Sequence, residues 1–242
     1  MAKPSREYIY GINPAFEVIR GGRRTLYEAF LNEATVGHPR LRKLRELIER
    51  RSIPHQLVGK QRLHELAQTH EHQGVVLKAS PYPYSTLEEI FTLPRLLLLD
   101  NVEDPHNVGA IIRSAEIFGF HGILLPRRGC PDVYPSIVKV SAGATEFVRI
   151  VKSDPSNAYT KRAAAEGYRI AALDARGQAD LDRVAADAPE RLLLVVGGED
   201  RSVGQFILNM ADDVLGIPQQ GRINSLNASV AAGIAMHALR VR

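Results

Sequence analysis

Six short apolar runs set the strongest limit on what this chain can fold into. They fall at residues 96–99, 122–125, 147–151, 169–173, 192–196 and 213–217 of the 242-residue sequence. Most are continuous rather than alternating, which predicts strands covered on both faces, as in a parallel sheet. Helical patterns fall between most of them, as at 107–118, 157–166 and 227–239. Strand and helix in alternation predict an α/β domain built on a mostly parallel sheet with helices on both faces.

Pro81-Tyr82-Pro83-Tyr84-Ser85-Thr86 reads as an extended linker, because each proline fixes its own φ and biases its predecessor away from helix. It divides a small domain, 1–80, from a larger one, 87–242, with 81–86 between them. In the small domain, Gly11-Ile12-Asn13-Pro14 leads into a helix running through Ile19. Residues 26–32 fit a strand or a helix, 41–51 a helix with a basic outer face, and 53–58 a strand. Residues 61–69 are helical and 74–77 form a short strand, which together predict a compact α/β unit.

Charge separates the two parts. Residues 1–80 carry 14 Lys and Arg against 8 Asp and Glu, a net of +6, whereas 87–242 carry 17 against 19, a net of −2. A basic half suggests contact with nucleic acid. The cluster Arg40, Arg42, Lys43, Arg45, Arg50 and Arg51 carries that reading; a solvated helix face with Glu46 and Glu49 as helical partners explains it equally well. No apolar run is long enough to span a membrane, and no signal-peptide core follows Met1. The only cysteine is Cys130. That excludes an internal disulfide and a cysteine metal cluster, and fits a reducing, cytoplasmic setting. Cys130 itself lies in the turn-like Arg127-Arg128-Gly129-Cys130-Pro131 and reads as incidental. His70 and His72 have no third ligand nearby and read as polar loop residues, so no metal is expected.

Ligands of an open α/β sheet bind at the carboxyl ends of its strands, and unusual strings stand there. The first, Asp104-Pro105-His106-Asn107-Val108-Gly109, opens a helix that Asn107 is placed to cap. Its apolar stripe is Val108, Ile111, Ile112, Ala115 and Phe118. Arg113 lies off that stripe, where it either pairs with Glu116 or presents a permanently charged fork to a phosphate or developing oxyanion. The second, Val196-Gly197-Gly198-Glu199, lets backbone approach a ligand closely. No G-x-G-x-x-G follows, so neither a nicotinamide cofactor nor a P-loop nucleotide is indicated. The third runs from Ile217-Pro218 through Gly221 to Ser225-Leu226-Asn227 and Ala228-Ser229-Val230-Ala231-Ala232-Gly233. Ser225 or Asn227 can cap the helix that follows, and its small residues admit another backbone segment or helix at close range.

Together these strings resemble the three signature motifs of the SpoU (TrmH-like) branch of the SPOUT methyltransferases, in the family's order and spacing. Gly11-Ile12-Asn13-Pro14 and His72-Gln73-Gly74-Val75 resemble that family's small RNA-binding substrate domain. Ser141-Ala142-Gly143-Ala144 and Asn157 resemble the subgroup that methylates a guanosine ribose in large-subunit rRNA (RlmB). The resemblance implies a deep trefoil knot at the C-terminus, a rare topology, and a homodimer packed through the knotted domain. It implies S-adenosylmethionine bound against Gly197, Ile217 and Leu226, with no metal. It implies methyl transfer to a ribose 2′-hydroxyl of RNA, 23S rRNA in the first instance, with the active site near the dimer interface. Arg113 is then the catalytic arginine, Asn107 and Glu199 position it or the ribose, and Ser225 and Asn227 hold the cofactor loop. A tRNA 2′-O-methyltransferase and a non-catalytic RNA-binding paralogue are the alternatives. One departure is that Asp200-Arg201-Ser202-Val203 follow Glu199, where glycines are usual.

Overall fold

A computed structural model of the chain describes residues 5–187, 189–199, 201–222 and 225–240. Asp200, which follows the second motif, and Ile223 and Asn224 of the third therefore lie outside the described residues. The chain begins β1 (Glu7–Tyr10), α1 (Ile12–Gly21), β2 (Leu26–Asn32), α2 (Pro39–Arg50), β3 (His55–Val58), α3 (Lys60–Ala67) and β4 (Val75–Ala79). It continues with α4 (Leu87–Ile90), β5 (Arg95–Asp100), α5 (Pro105–Ile117), β6 (Gly122–Leu124), α6 (Pro135–Val140) and β7 (Arg149–Val151). It ends with α7 (Ser156–Ala165), β8 (Arg169–Leu173), α8 (Leu181–Ala186), β9 (Leu192–Gly197), α9 (Gln205–Met210), β10 (Asp213–Leu215) and α10 (Ala228–Ala238).

By its internal contacts the chain forms two units. The first joins the residues up to Pro83 with Val133–Phe147, and the second joins Tyr84–Asp132 with the residues from Val148 onward. The segment Val133–Phe147 thus packs with the N-terminal residues, although it follows β6 in sequence.

In the first unit the sheet order is β1-β4-β2-β3, with β2 and β3 parallel and the other pairs antiparallel. Residues 26–32, open between strand and helix in the sequence, form the strand that joins both kinds of pairing. Buried Arg24 ties the returning segment in place. Its Nε donates to Glu146 Oε1 at 3.1 Å and its Nη1 to Glu7 Oε2 at 2.7 Å. Neither the Arg24 nor the Glu146 side chain has any solvent exposure. Burial raises the Glu7 carboxyl above its ordinary value even though Arg24 opposes the shift. Tyr82, read from sequence as part of an extended linker, is buried, and its hydroxyl donates to the Thr145 carbonyl at 2.9 Å.

In the second unit six strands run in the order β10-β8-β9-β5-β6-β7, every pair parallel. The expectation of a covered parallel sheet is met: Leu96, Leu97, Leu98 and Leu99 of β5 and Leu192, Leu193, Leu194 and Val195 of β9 are fully buried. Three predicted runs form shorter strands, and β6 stops before Leu125. β7 lacks the half-exposed Phe147, which belongs to the other unit, and β10 stops before Gly216. At that stop two backbone segments touch: a Cβ on Gly216 would lie 2.1 Å from the Gly177 carbonyl oxygen. Among the described residues no helix is long and apolar enough to cross a membrane.

The Arg24 arrangement generates a stability test. Arg24→Ala leaves the buried Glu146 carboxylate and the partly buried Glu7 carboxylate without their cation, which costs about 3–5 kcal/mol. Urea denaturation of the full chain should show a loss of that size, and a change within error would mean that the triad does not hold the returning segment.

Candidate active site

β5, one of the sheet's two central strands, ends in a buried carboxylate. Asp100 Oδ1 accepts from Ser156 Oγ at 2.6 Å, Oδ2 from Gly204 N at 2.9 Å, and its carbonyl from Gly198 N at 3.0 Å. The backbones beyond β5 and β9 consequently run side by side. A Cβ on Gly198 would stand 2.0 Å from the Asn101 carbonyl oxygen, so no other residue fits without displacing the loop.

Helix α5 starts one turn earlier than the sequence suggests. Asp104 is its N-cap, accepting from His106 N at 2.9 Å, and Pro105 occupies the first helical position, where its missing N–H costs nothing. Asn107 is therefore not the cap. It sits inside the first turn, buried, and its side chain faces two other loops. Its Nδ2 donates to Glu199 Oε1 at 3.0 Å, and its Oδ1 accepts from Asn227 Nδ2 at 3.0 Å. Asn227 Nδ2 also donates to Glu199 Oε1. At its other end, Asn227 Oδ1 accepts from the backbone N of Ser229 at 3.0 Å and of Val230 at 3.4 Å, capping α10. One side chain thus serves as helix cap and as the link among all three motif loops.

Beside this link lies a cavity of about 460 Å³, within the size range of small-molecule sites. Gly197, Ile217 and Leu226 line it, as do Glu199, Ser225 and Asn227. Asn107 stands behind Glu199 and Asn227 and does not line the cavity. Arg113 does not line it either. It is exposed on α5, and the pairing with Glu116 considered from the sequence does not form among the described residues.

The sequence reading passed over Asp174, which also lines the cavity. It follows β8 directly and is buried, and its carboxylate accepts from Arg176 Nε at 3.0 Å and Arg176 N at 2.9 Å. Those hydrogen bonds hold its carboxyl below the ordinary value. The available signal was its place, a polar residue at the carboxyl end of an apolar strand. Cys130 is buried with its thiol donating to the Leu99 carbonyl at 3.1 Å, and burial pushes its pKa up to about 12. Among the described residues no group of three His, Cys, Asp or Glu side chains is placed to hold a metal ion.

Comparison with known families agrees with this geometry. The model of the SpoU rRNA methylase family matches residues 94–237, and that of the RNA 2′-O ribose methyltransferase substrate-binding domain matches residues 8–85. The chain belongs to the SpoU rRNA methylase family. Among its relatives, YacO of Bacillus subtilis (strain 168), named for the TrmH family of tRNA/rRNA methyltransferases, is 31% identical over 238 residues. That match covers 96% of this SpoU-family chain and 94% of YacO. Among solved structures, an RNA 2′-O ribose methyltransferase superposes with a TM-score of 0.83 at 23% identity, over 97% of this chain and 88% of the other. The SpoU methyltransferase AviRb of Streptomyces viridochromogenes, crystallised with AdoMet, superposes with a TM-score of 0.79 at 24% identity, over 97% and 89%.

Two outcomes follow for this SpoU-family site. Asn227→Ala removes the α10 cap, worth about 1 kcal/mol, together with its bonds to Asn107 and Glu199. For a chain of this size each such kcal/mol lowers the melting temperature by about 2–4 °C, and calorimetry should show at least that drop. Cys130 should resist a disulfide exchange reagent near neutral pH, because its thiolate is scarce and covered. One equivalent should react after denaturation; prompt reaction of the folded chain would contradict its placement.

Proposed function

We propose that this chain methylates a ribose 2′-hydroxyl of large-subunit (23S) rRNA, at a guanosine, with S-adenosylmethionine as methyl donor. The observation that carries the reading is the junction of Asn107, Glu199 and Asn227 beside a cavity that Gly197 and Gly198 help to line. The residues present fit the cofactor: the cavity has the volume, and Gly197 and Gly198 line it without side chains that would fill it. Gly197, Ile217 and Leu226 would hold it. S-adenosylmethionine supplies an electrophilic methyl group when bound.

The chain's own residues have to make a poor nucleophile react. The ribose oxygen gains the methyl carbon as the S–CH₃ bond breaks, and its proton leaves to solvent or a nearby base. The Arg113 guanidinium is a planar fork of donors whose geometry matches a phosphate. Its role in this reading is to grip the target phosphate and stabilise the negative charge that develops on the ribose oxygen. Asn107 fixes the Glu199 carboxylate, which orients the ribose or Arg113, while Ser225 and Asn227 hold the third loop against the cofactor. No metal is needed for these steps.

Arg113 lies outside its own chain's cavity, and its helix face indicates how it could reach another. Ile117, one turn further along α5, is 64% exposed, and Val230 and Ile234 of the adjoining α10 are 49% and 41% exposed. Side chains four apart share a helix face. An apolar surface carried by α5 and α10 with Arg113 on it supports a homodimer in which each Arg113 serves the partner's cavity. The knotted threading implied by the resemblance belongs to the same reading, as does a cytoplasmic setting for a chain with one buried thiol.

Labelled methyl from S-adenosylmethionine should enter a single guanosine ribose of unmodified 23S-type rRNA and not tRNA transcripts. Label confined to tRNA would keep the reaction and overturn the substrate. No label with RNA still bound would favour a non-catalytic paralogue. Arg113→Ala should lower the methylation rate by about 10²–10³-fold while cofactor binding persists. Mixing Arg113→Ala with Glu199→Gln subunits should restore activity, because a mixed dimer then holds one intact composite site. No restoration after subunit exchange would place Arg113 and Glu199 in the same subunit's site.

A further inference from the structure

The N-terminal unit holds a second cavity, of about 650 Å³, that the methyl-transfer chemistry does not use. Three helices begin on it. Ile12 is the first residue of α1, His38 the N-cap of α2 and Lys60 the first residue of α3, and all three line the cavity. No N-cap side chain satisfies any of these helix ends, although Ile12 N donates to Gln73 Oε1 at 3.1 Å. Each helix start carries the equivalent of about half a positive charge. The Lys60 ammonium adds a full one. No carboxylate is among the described residues that line the cavity.

A buried donor there has no partner. His72 is 3% exposed, and its Nδ1 accepts from Gly74 N at 3.1 Å. The ring proton must then reside on Nε2, which lines up with no acceptor of the protein. An unmatched buried donor costs about 1–3 kcal/mol, so its retention beside a cavity calls for an acceptor that arrives from outside. Burial, reinforced by Lys60, His64, His70 and Lys139, holds His72 below its ordinary pKa, so the ring is a neutral donor. The turn that presents it is itself constrained. Gln73 has φ 55°, unusual for a residue with a side chain, and Gly74 at φ 86° packs where a Cβ would meet Leu41 at 2.9 Å.

Helix starts, an ammonium, a hydroxyl from Thr35 and an imidazole N–H are all donors or positive ends, the recognition chemistry of a phosphate. We propose that this cavity binds a phosphate group of the RNA substrate. The inference rests on the reading of the chain as an RNA methyltransferase, whose substrate-binding model spans these residues. It gives the strings Gly11-Ile12-Asn13-Pro14 and His72-Gln73-Gly74-Val75 one shared purpose: the Gln73–Ile12 hydrogen bond joins them at the cavity wall.

The test uses the full chain and a fluorescent, unmodified 23S-type rRNA fragment, with affinity read by anisotropy across a range of KCl concentrations. Lys60→Gln is exposed and spares the core. It should weaken binding several-fold and reduce the slope of log K against log [KCl] by about one. His72→Leu should weaken binding too, and in methylation assays both losses should appear in KM for RNA. Unchanged affinity and slope in Lys60→Gln would overturn the proposal. A parallel titration follows the His72 ring signals by NMR with inorganic phosphate and with the RNA. Perturbation by both, with the RNA displacing the ion, supports an RNA phosphate; perturbation by inorganic phosphate alone would make this a free-anion site and overturn it. If Lys60→Gln weakens RNA binding but no methyl transfer is ever seen, the cavity assignment stands and the proposed reaction falls.

Discussion

The buried carboxylate of Asp100 is the constraint on which the methyltransferase site depends. It ends one of the two central strands, and its oxygens take up one hydroxyl from α7 and one amide from the segment that follows the second motif. Its carbonyl takes up the Gly198 amide. A carboxylate in such a place has to be fully hydrogen-bonded or it destabilises the fold. The donors that satisfy it belong to separate stretches of chain, so satisfying it assembles the site. Once those stretches are fixed, Glu199 stands within reach of Asn107 and Asn227, and the three motif loops close on one another.

Much of this was legible in the sequence, and the reasons are specific. The strands β5 and β9 announce themselves because unbroken leucine and valine have few uses other than a strand buried on both faces. The start of α5 was misjudged by three residues, since Asn107 looked like a cap while Pro105, which favours the first helical position, pointed to Asp104. His72 read as a polar loop residue because nothing local shows that a left-handed Gln73 folds it into the interior. Asp100 and Asp174 were passed over for a related reason: an aspartate at a strand end looks like the start of a turn, and only the partners brought by distant chain reveal its work.

The return of Val133–Phe147 to the N-terminal unit marks another limit. Local pattern states that a segment is apolar, not which core it enters. Here the deciding group is Glu146, a buried carboxylate whose cation, Arg24, lies far away in sequence. Arg113 shows the same limit at the level of assembly. Arg113 is exposed on a face that also carries exposed isoleucine and valine, and the role proposed for it requires a functional unit larger than one chain.

The uneven charge of the chain acquires a physical reading from the two cavities. The cavity proposed for S-adenosylmethionine, a compact ligand of mixed charge, is lined by apolar side chains, glycine backbone and the Asp174 and Glu199 carboxylates, and has no need of a surrounding positive field. RNA is a polyanion whose affinity comes largely from released counterions, and for that a positive field is the main requirement. The first 80 residues supply it with a net charge of +6, whereas residues 87–242 carry −2. Dispersed surface charge holds RNA without setting its register, because exposed lysines and arginines adapt to any phosphate. In the proposed reading, a cavity that unites helix starts with one buried imidazole donor would fix a phosphate at one position, which dispersed surface charge cannot do.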